Sequence, residues 1–214
     1  MIAENIKKEL LDRFTKELRE PVTLLLFTDE FPSEASEDTR LILRDLSELS
    51  TKIETKIFNQ VKKRELVESF AIDKFPSTLI LDKDGNDSRI RFYGSVAGYE
   101  LGSLVHDIVQ VSRGETSFSK RVSEELKKLS TPVHIQVFVT SNCILCPKAV
   151  RLAHEAAMLN PLVKADCIEV TEFLEYVEKY EIRGVPKTVI NEKVHYLSLV
   201  TEEEFLEYIH KAIF

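Results

Sequence analysis

The feature that most restricts how this chain can fold is an internal repeat. Pro21 stops one amphipathic pattern, and the apolar run Val22–Phe27 follows it. Pro132 and Phe138 stand in the same register around a second run. Farther along, Phe-Ala-Ile-Asp-Lys-Phe-Pro-Ser-Thr-Leu-Ile over 70–80 matches Tyr-Glu-Ile-Arg-Gly-Val-Pro-Lys-Thr-Val-Ile over 180–190. Hydrophobic periodicity gives each copy one order: helix, strand, helix, strand, helix, hairpin, helix. Strand–helix–strand crossovers impose parallel pairing and the closing hairpin adds an antiparallel pair. The expected fold class is therefore α/β, with two similar units. Each is a mixed four-stranded sheet with helices on both faces, and the two sheets are open to joining edge to edge.

In the first copy, residues 3–18 place Ile6, Leu10, Leu11, Phe14 and Leu18 on one helical face. Ile53, Thr55 and Ile57 alternate as in a strand. Asp82-Lys-Asp-Gly85 between two apolar runs signals a hairpin, and Tyr99–Val111 closes the copy with a helix. The second copy repeats this with helices over Phe118–Leu129, Cys143–Leu159, Thr171–Tyr180 and Thr201–Ala212. Tyr99, Tyr180 and the phenylalanines follow the periodicities and read as core. The polar, Gly-containing stretch 112–119 is the expected join, with units at 1–114 and 115–214.

The repeat isolates one difference. At the strand-to-helix turn of the second copy the sequence reads Cys143-Ile-Leu-Cys146-Pro147. Under the same register the first copy has Pro32 and Ala35 there, and it contains no cysteine. Cysteines three apart at a helix start face one way, so their sulfurs meet. Unpaired N–H groups at such a start favour a thiolate on Cys143. Cys146, one turn on, is placed to resolve a mixed disulfide. Half of a zinc site is the other use of this spacing, but it needs two more ligands. The only other cysteine is Cys167, in an apolar run that reads as buried and inert, and no His-x3–5-His pair occurs. Strand, Cys-x-x-Cys, helix is the redox context. The first copy cannot perform thiol chemistry, and it reads as a packing partner for the second rather than a docking site.

Composition limits the partners. A net charge of −7 argues against nucleic acid or an anionic membrane surface. No apolar run reaches spanning length and Met1–Leu18 lacks a signal-peptide centre, so a cytoplasmic protein is expected.

Together, Cys143-Ile-Leu-Cys146-Pro147 and Gly184-Val185-Pro186-Lys-Thr188, set in this order of elements, resemble the thioredoxin fold. The tandem arrangement resembles the glutaredoxin-like protein disulfide oxidoreductases of thermophilic archaea and bacteria. It is also similar to the tandem N-terminal domain of the alkyl hydroperoxide reductase flavoprotein subunit, which keeps its redox pair in the second unit only. Phe92-Tyr-Gly-Ser-Val-Ala-Gly-Tyr-Glu-Leu101 and Leu159-Asn-Pro-Leu-Val-Lys-Ala165 strengthen that second likeness. The resemblance implies two tandem thioredoxin-like units, with Cys143 attacking and Cys146 resolving. Pro186 would be a cis-proline facing the pair, with Pro76 its counterpart in the silent unit. Val185 would offer its backbone to an extended substrate.

The activity implied is thiol–disulfide oxidoreduction, passing two electrons to protein disulfides. Oxidase or isomerase chemistry, or a non-catalytic binding or metal-thiolate module, are the alternatives. No flavin or nicotinamide fingerprint occurs, and no cofactor or metal is expected. The implied partners are disulfide-containing proteins, a thioredoxin-reductase-like flavoprotein as electron donor and a peroxiredoxin. Thioredoxin carries a buried acid six positions before its first cysteine, where this chain has Val137. Asp166 on the next strand is a candidate substitute, although an ordinary charged residue near a strand end is the preferred reading.

Overall fold

The computed structural model describes residues 1–213. The first half runs α1 (Glu4–Glu17), β1 (Val22–Thr28), α2 (Glu34–Glu48), β2 (Ile53–Asn59), α3 (Arg64–Ser69), β3 (Ser77–Leu81), β4 (Asp87–Tyr93) and α4 (Glu100–Arg113). The second runs α5 (Lys120–Lys127), β5 (Val133–Val139), α6 (Cys146–Leu159), β6 (Val163–Glu169), α7 (Leu174–Lys179), β7 (Lys187–Ile190), β8 (Val194–Leu197) and α8 (Glu202–Ile213).

The strands form one eight-stranded sheet in the order β2-β1-β3-β4-β6-β5-β7-β8. The two four-strand sets meet edge to edge where β4 pairs parallel with β6, from Ile90 opposite Ala165 to Tyr93 opposite Ile168. β3 runs antiparallel to both β1 and β4. Strands β1, β2, β4, β5 and β6 therefore share one direction, and their carboxyl ends lie along one rim of the sheet. In parallel sheets that rim is where ligands bind.

Side-chain alternation along each strand splits the interior into two layers. On one face Leu24, Leu26, Ile80, Val137 and Cys167 pack with Phe14, Leu43, Leu104, Val150 and Phe205 from the longer helices, in one cluster spanning both halves. On the other face Leu25, Phe27, Phe138, Ile168 and Val189 are covered by side chains around short α3 and α7. Full burial of each such side chain is worth about 1.5–3 kcal/mol, so the seam between halves is held by core, not by linker.

Polar contacts tighten that seam. A register shift in the β3–β4 pairing accompanies Arg89 at φ +62°, the kind of irregularity that re-aims a side chain. The Arg89 guanidinium donates to the Ala157 carbonyl at 2.6 and 3.0 Å, where a cation suits the carboxyl end of α6. His154 of α6 meets Asp107 of α4 at 2.6 Å and stands edge-on to Phe92, centroids 4.9 Å apart.

Several expectations need correction. Ile6 and Leu11 are 38% and 48% exposed, while Ile2, Leu10, Phe14 and Leu18 are buried. Helix α1 is held by Asp45, which accepts from the Ile2 N–H and the Lys7 ammonium, and it buries only a narrow i, i+4 row. Ile57 is exposed because β2 is an outermost strand. Tyr99 and Phe31 are not core: Tyr99 precedes α4 and is 46% exposed, and Phe31 lies in the turn before α2 and is 83% exposed. The helix expected from Phe118 begins after Ser119, whose hydroxyl accepts the Val122 N–H.

Candidate active site

Strand β5 delivers the chain to the rim at Val139, and a tight turn brings it back. The Cys143 N–H donates to the Thr140 carbonyl at 3.0 Å. Helix α6 begins at Cys146 rather than Cys143. Cys143 thus sits in the turn ahead of the helix, where its Sγ accepts the Cys146 N–H at 3.1 Å. A sulfur here takes the role an oxygen has in a helix cap. Pro147 occupies the first turn, where its missing N–H costs no helical bond.

Cys143 and Cys146 are joined as a disulfide with Cα atoms 5.5 Å apart. Their surroundings differ. Cys146 is completely buried, whereas Cys143 is half-buried at the margin of the larger core cluster. Ile144 and Leu145 between them are 68% and 43% exposed, an apolar surface beside the sulfurs. Lys148 is exposed. The Val185–Pro186 peptide is cis, and so is Phe75–Pro76 in the first half. Val185 is half-buried, packs against both core clusters, and precedes the ladder that starts at Lys187.

The buried acid near the cysteines is not the one weighed from sequence. Cys167 faces the layer that holds α6, so its neighbour Asp166 faces the opposite layer. Asp166 is fully buried, with His134 at 2.5 Å and Lys164 at 3.6 Å. Burial pushes its carboxyl upward, but His134 and the lysines prevail and hold it below the usual range. It is neither an ordinary strand-end charge nor a partner for Cys146.

Glu100 occupies the cysteine side instead. It is 1% exposed, and burial, opposed by Ser103 and Cys167, pushes its carboxyl up to about 7. The Cys167 thiol donates to it at 3.6 Å and is itself raised well above its ordinary value, first by burial and then by Glu100. Cys167 is thus the buried, unreactive thiol expected. Glu100 is fixed relative to the cysteine turn through its neighbours. The Tyr99 N–H donates to the Ser141 carbonyl at 2.9 Å. Gly98, at φ +65°, lies so close that an added Cβ would strike that same carbonyl. The sequence signals for Glu100 are its place in the first turn of a helix, a common position for an acid, and its inclusion in the 92–101 stretch that carries the resemblance.

Residues 133–211 match the thioredoxin domain family. The structure superimposes on the F component of alkylhydroperoxide reductase from Enterococcus faecalis with a TM-score of 0.90 and 27% identity, covering 97% of this chain and 99% of that one. A protein disulfide oxidoreductase from Aeropyrum pernix K1 matches equally well, with a TM-score of 0.90, 26% identity and 99% and 93% coverage. The chain is a tandem thioredoxin-fold domain. This tandem domain carries a Cys-x-x-Cys disulfide and is related to protein disulfide oxidoreductases. Among curated sequences it is 27% identical over 209 residues to the F component of alkyl hydroperoxide reductase of Xanthomonas campestris pv. phaseoli, covering 96% of the tandem domain but 36% of that relative. The tandem domain spans about a third of the length of the curated relatives it matches.

Proposed function

We propose that the chain is a thiol–disulfide oxidoreductase that passes two electrons to protein disulfides through Cys143 and Cys146. The observation that carries this reading is the inequality of the two sulfurs: one half-buried over a helix-terminal N–H, the other sealed in the core. In the reduced protein that N–H and the open end of α6 stabilise a Cys143 thiolate. The thiolate attacks one substrate sulfur, a mixed disulfide forms and the other substrate sulfur leaves as thiolate. Cys146, deprotonated, then attacks Cys143 Sγ, which frees the second substrate thiolate and closes the Cys143–Cys146 bond. The substrate gains two electrons and the protein loses two. Glu100, poised near neutrality on the cysteine side, suits the role of acceptor for the Cys146 proton. Val185 and Pro186 present backbone for an extended substrate segment.

On this reading residues 115–214 form the redox unit and 1–114 the silent one. The likeness to the F component of alkyl hydroperoxide reductase supports a flavoprotein donor resembling thioredoxin reductase, and a peroxiredoxin among the acceptors. Among the described residues no helix is long and apolar enough to cross a membrane.

Two measurements test the proposal. Thiol titration before and after dithiothreitol should show two additional thiols, and the reduced protein should reduce insulin disulfides. An unreactive pair, or insulin reduction that survives Cys143→Ser, overturns it. The equilibrium potential against glutathione then sets the direction of flow, reductase or oxidase.

A further inference from the structure

The first half keeps a cleft where the second half has its cysteines. It measures about 750 Å³ and opens on the rim where β1, β4, β5 and β6 end. Its floor includes Phe75 and the cis Pro76, the repeat counterparts of Val185 and Pro186. Ala35, the counterpart of Cys146, also lines it. On its far side stands Ser141, two residues before Cys143.

The charge of this cleft has one sign. Asp29, Glu34, Asp38, Glu169 and Glu172 line it, and no lysine, arginine or histidine does. Glu34 and Asp38 are exposed on α2. Glu172 accepts the Ser95 N–H at 2.7 Å. Burial, together with Glu169, Asp29 and Asp38, holds its carboxyl above the usual range. The neighbouring carboxylates thus disfavour the charged form of Glu172, and a cation among them would relieve it.

An acidic surface alone would say little. Glu169 adds a separate fact. It is 3% exposed, at the end of β6, and lines the cleft. One carboxylate oxygen, Oε1, takes the Thr171 N–H at 3.1 Å and the Thr171 hydroxyl at 2.8 Å. The other, Oε2, is buried and has no hydrogen-bond partner among the described residues. Buried carboxylate oxygens are ordinarily paired, so Oε2 of this cleft-lining residue is left with capacity for a donor.

A side chain suits that capacity better than a bare ion. Among the described residues no three acidic, histidine or cysteine side chains converge as metal ligands. The cleft is also far larger than an ion and has the size of a side-chain and backbone site. We propose that this cleft binds a lysine or arginine side chain of an extended segment of the protein whose disulfide is exchanged at Cys143. The segment lies across the Phe75–Pro76 floor, and its cation sits between Glu169, Glu172 and the acids of α2. This rests on the oxidoreductase reading, and it turns the silent half from a packing partner into the docking half of one binding surface.

The test uses the full chain and a short fluorescein-labelled peptide that contains no cysteine and carries a central Arg-Lys pair, followed by anisotropy. The control peptide has glutamine at both positions. The cationic peptide should bind, added salt should weaken it, and the glutamine peptide should bind at least about tenfold more weakly. In the triple variant Glu34→Gln/Asp38→Asn/Glu172→Gln the preference should vanish, while insulin reduction keeps its kcat and a disulfide peptide flanked by arginine shows a raised KM. Equal binding of the two peptides by the unaltered protein overturns the proposal without recourse to any variant. So does a folded triple variant that retains the preference, or displacement of the peptide by calcium at concentrations that leave other ion pairs intact. Because the peptide has no cysteine, Cys143→Ser should bind it unchanged. Binding of the cationic peptide by an unaltered protein that fails to reduce insulin supports the cleft and overturns the oxidoreductase reading alone.

Discussion

Asp107 of α4 and His154 of α6 meet at 2.6 Å with both side chains fully buried, joining the silent half to the helix that carries Cys146. Removing one member of such a pair leaves the other without its partner in the core. Asp107→Ala should lower the unfolding free energy by about 3 kcal/mol, measured by urea denaturation at neutral pH. A loss under 1 kcal/mol, on the order of an exposed pair, would show that the seam is held by its apolar contacts alone.

The order of attack is open to direct capture. Cys143→Ser should abolish both turnover and covalent trapping of a disulfide substrate. Cys146→Ser should abolish sustained turnover yet accumulate a long-lived mixed disulfide through Cys143. Intact mass spectra of the two variants after incubation with a disulfide peptide distinguish them. Equal trapping by both, or trapping only through Cys146, assigns the roles wrongly.

Glu100 makes stability depend on pH. Its folded-state value is raised to about 7, mainly by burial, so the folded protein holds a proton that the unfolded chain has released. Stability from this group is complete below the unfolded carboxylate value. It falls as pH rises toward the folded value, by about 3 kcal/mol in total. Glu100→Gln removes the titration, and the urea midpoint of this variant should change less between about pH 5 and about pH 8 than that of the parent. A parallel pH profile in the two proteins rules Glu100 out as the titrating group.

Cys167→Ser should leave disulfide exchange nearly unchanged, because the Cys167 thiol is buried and held in its neutral form. A modest loss of stability is expected where a hydroxyl replaces a buried thiol. Insulin reduction and thermal unfolding report the two effects separately, and a folded but inactive variant would make Cys167 part of the chemistry.

Gly98→Ala tests the contact between the halves at the cysteine turn. The new Cβ meets the Ser141 carbonyl at a positive φ, so backbone strain of about 1–3 kcal/mol is expected together with displacement of the turn. The rate of exchange with glutathione should fall. Gly102→Ala, with open space around it, is the matched control and should leave the rate alone.

What the sequence showed plainly was whatever is local or repeated. Cys143 and Cys146 are three residues apart, and the Pro76 and Pro186 segments align by eye. The tandem fold follows from these together with the strand and helix periods. Contacts made across the seam left no such trace. His154 finds Asp107, and Cys167 finds Glu100, over separations that no spacing rule connects. The face that Asp166 presents depends on strand register, because a shift by one residue would have turned it toward α6. Ile6 and Leu11 fit a helical stripe as well as Leu10 and Phe14 do. Only the way α1 packs on the rest of the fold decides that the stripe is half used. The cleft over Phe75 and Pro76 was hidden for another reason: its carboxylates come from the residue after β1, from α2, from the end of β6 and from the turn after it, scattered along the chain as unremarkable charges.

The hydrogen bonds between β4 and β6 give the sheet a property that neither half has alone. Two domains on a flexible tether sample many separations, and a partner with two contact points is then selected for affinity at each point. Here the tether is replaced by backbone pairing from Ile90 opposite Ala165 to Tyr93 opposite Ile168. The distance from the mouth over Pro76 to the sulfur of Cys143 is set by strand spacing and is the same in every molecule. With the docking proposed above, the sheet becomes a ruler: it measures how far along a partner's chain the positive charge stands from the disulfide, and a partner with the right groups at the wrong interval is expected to be refused.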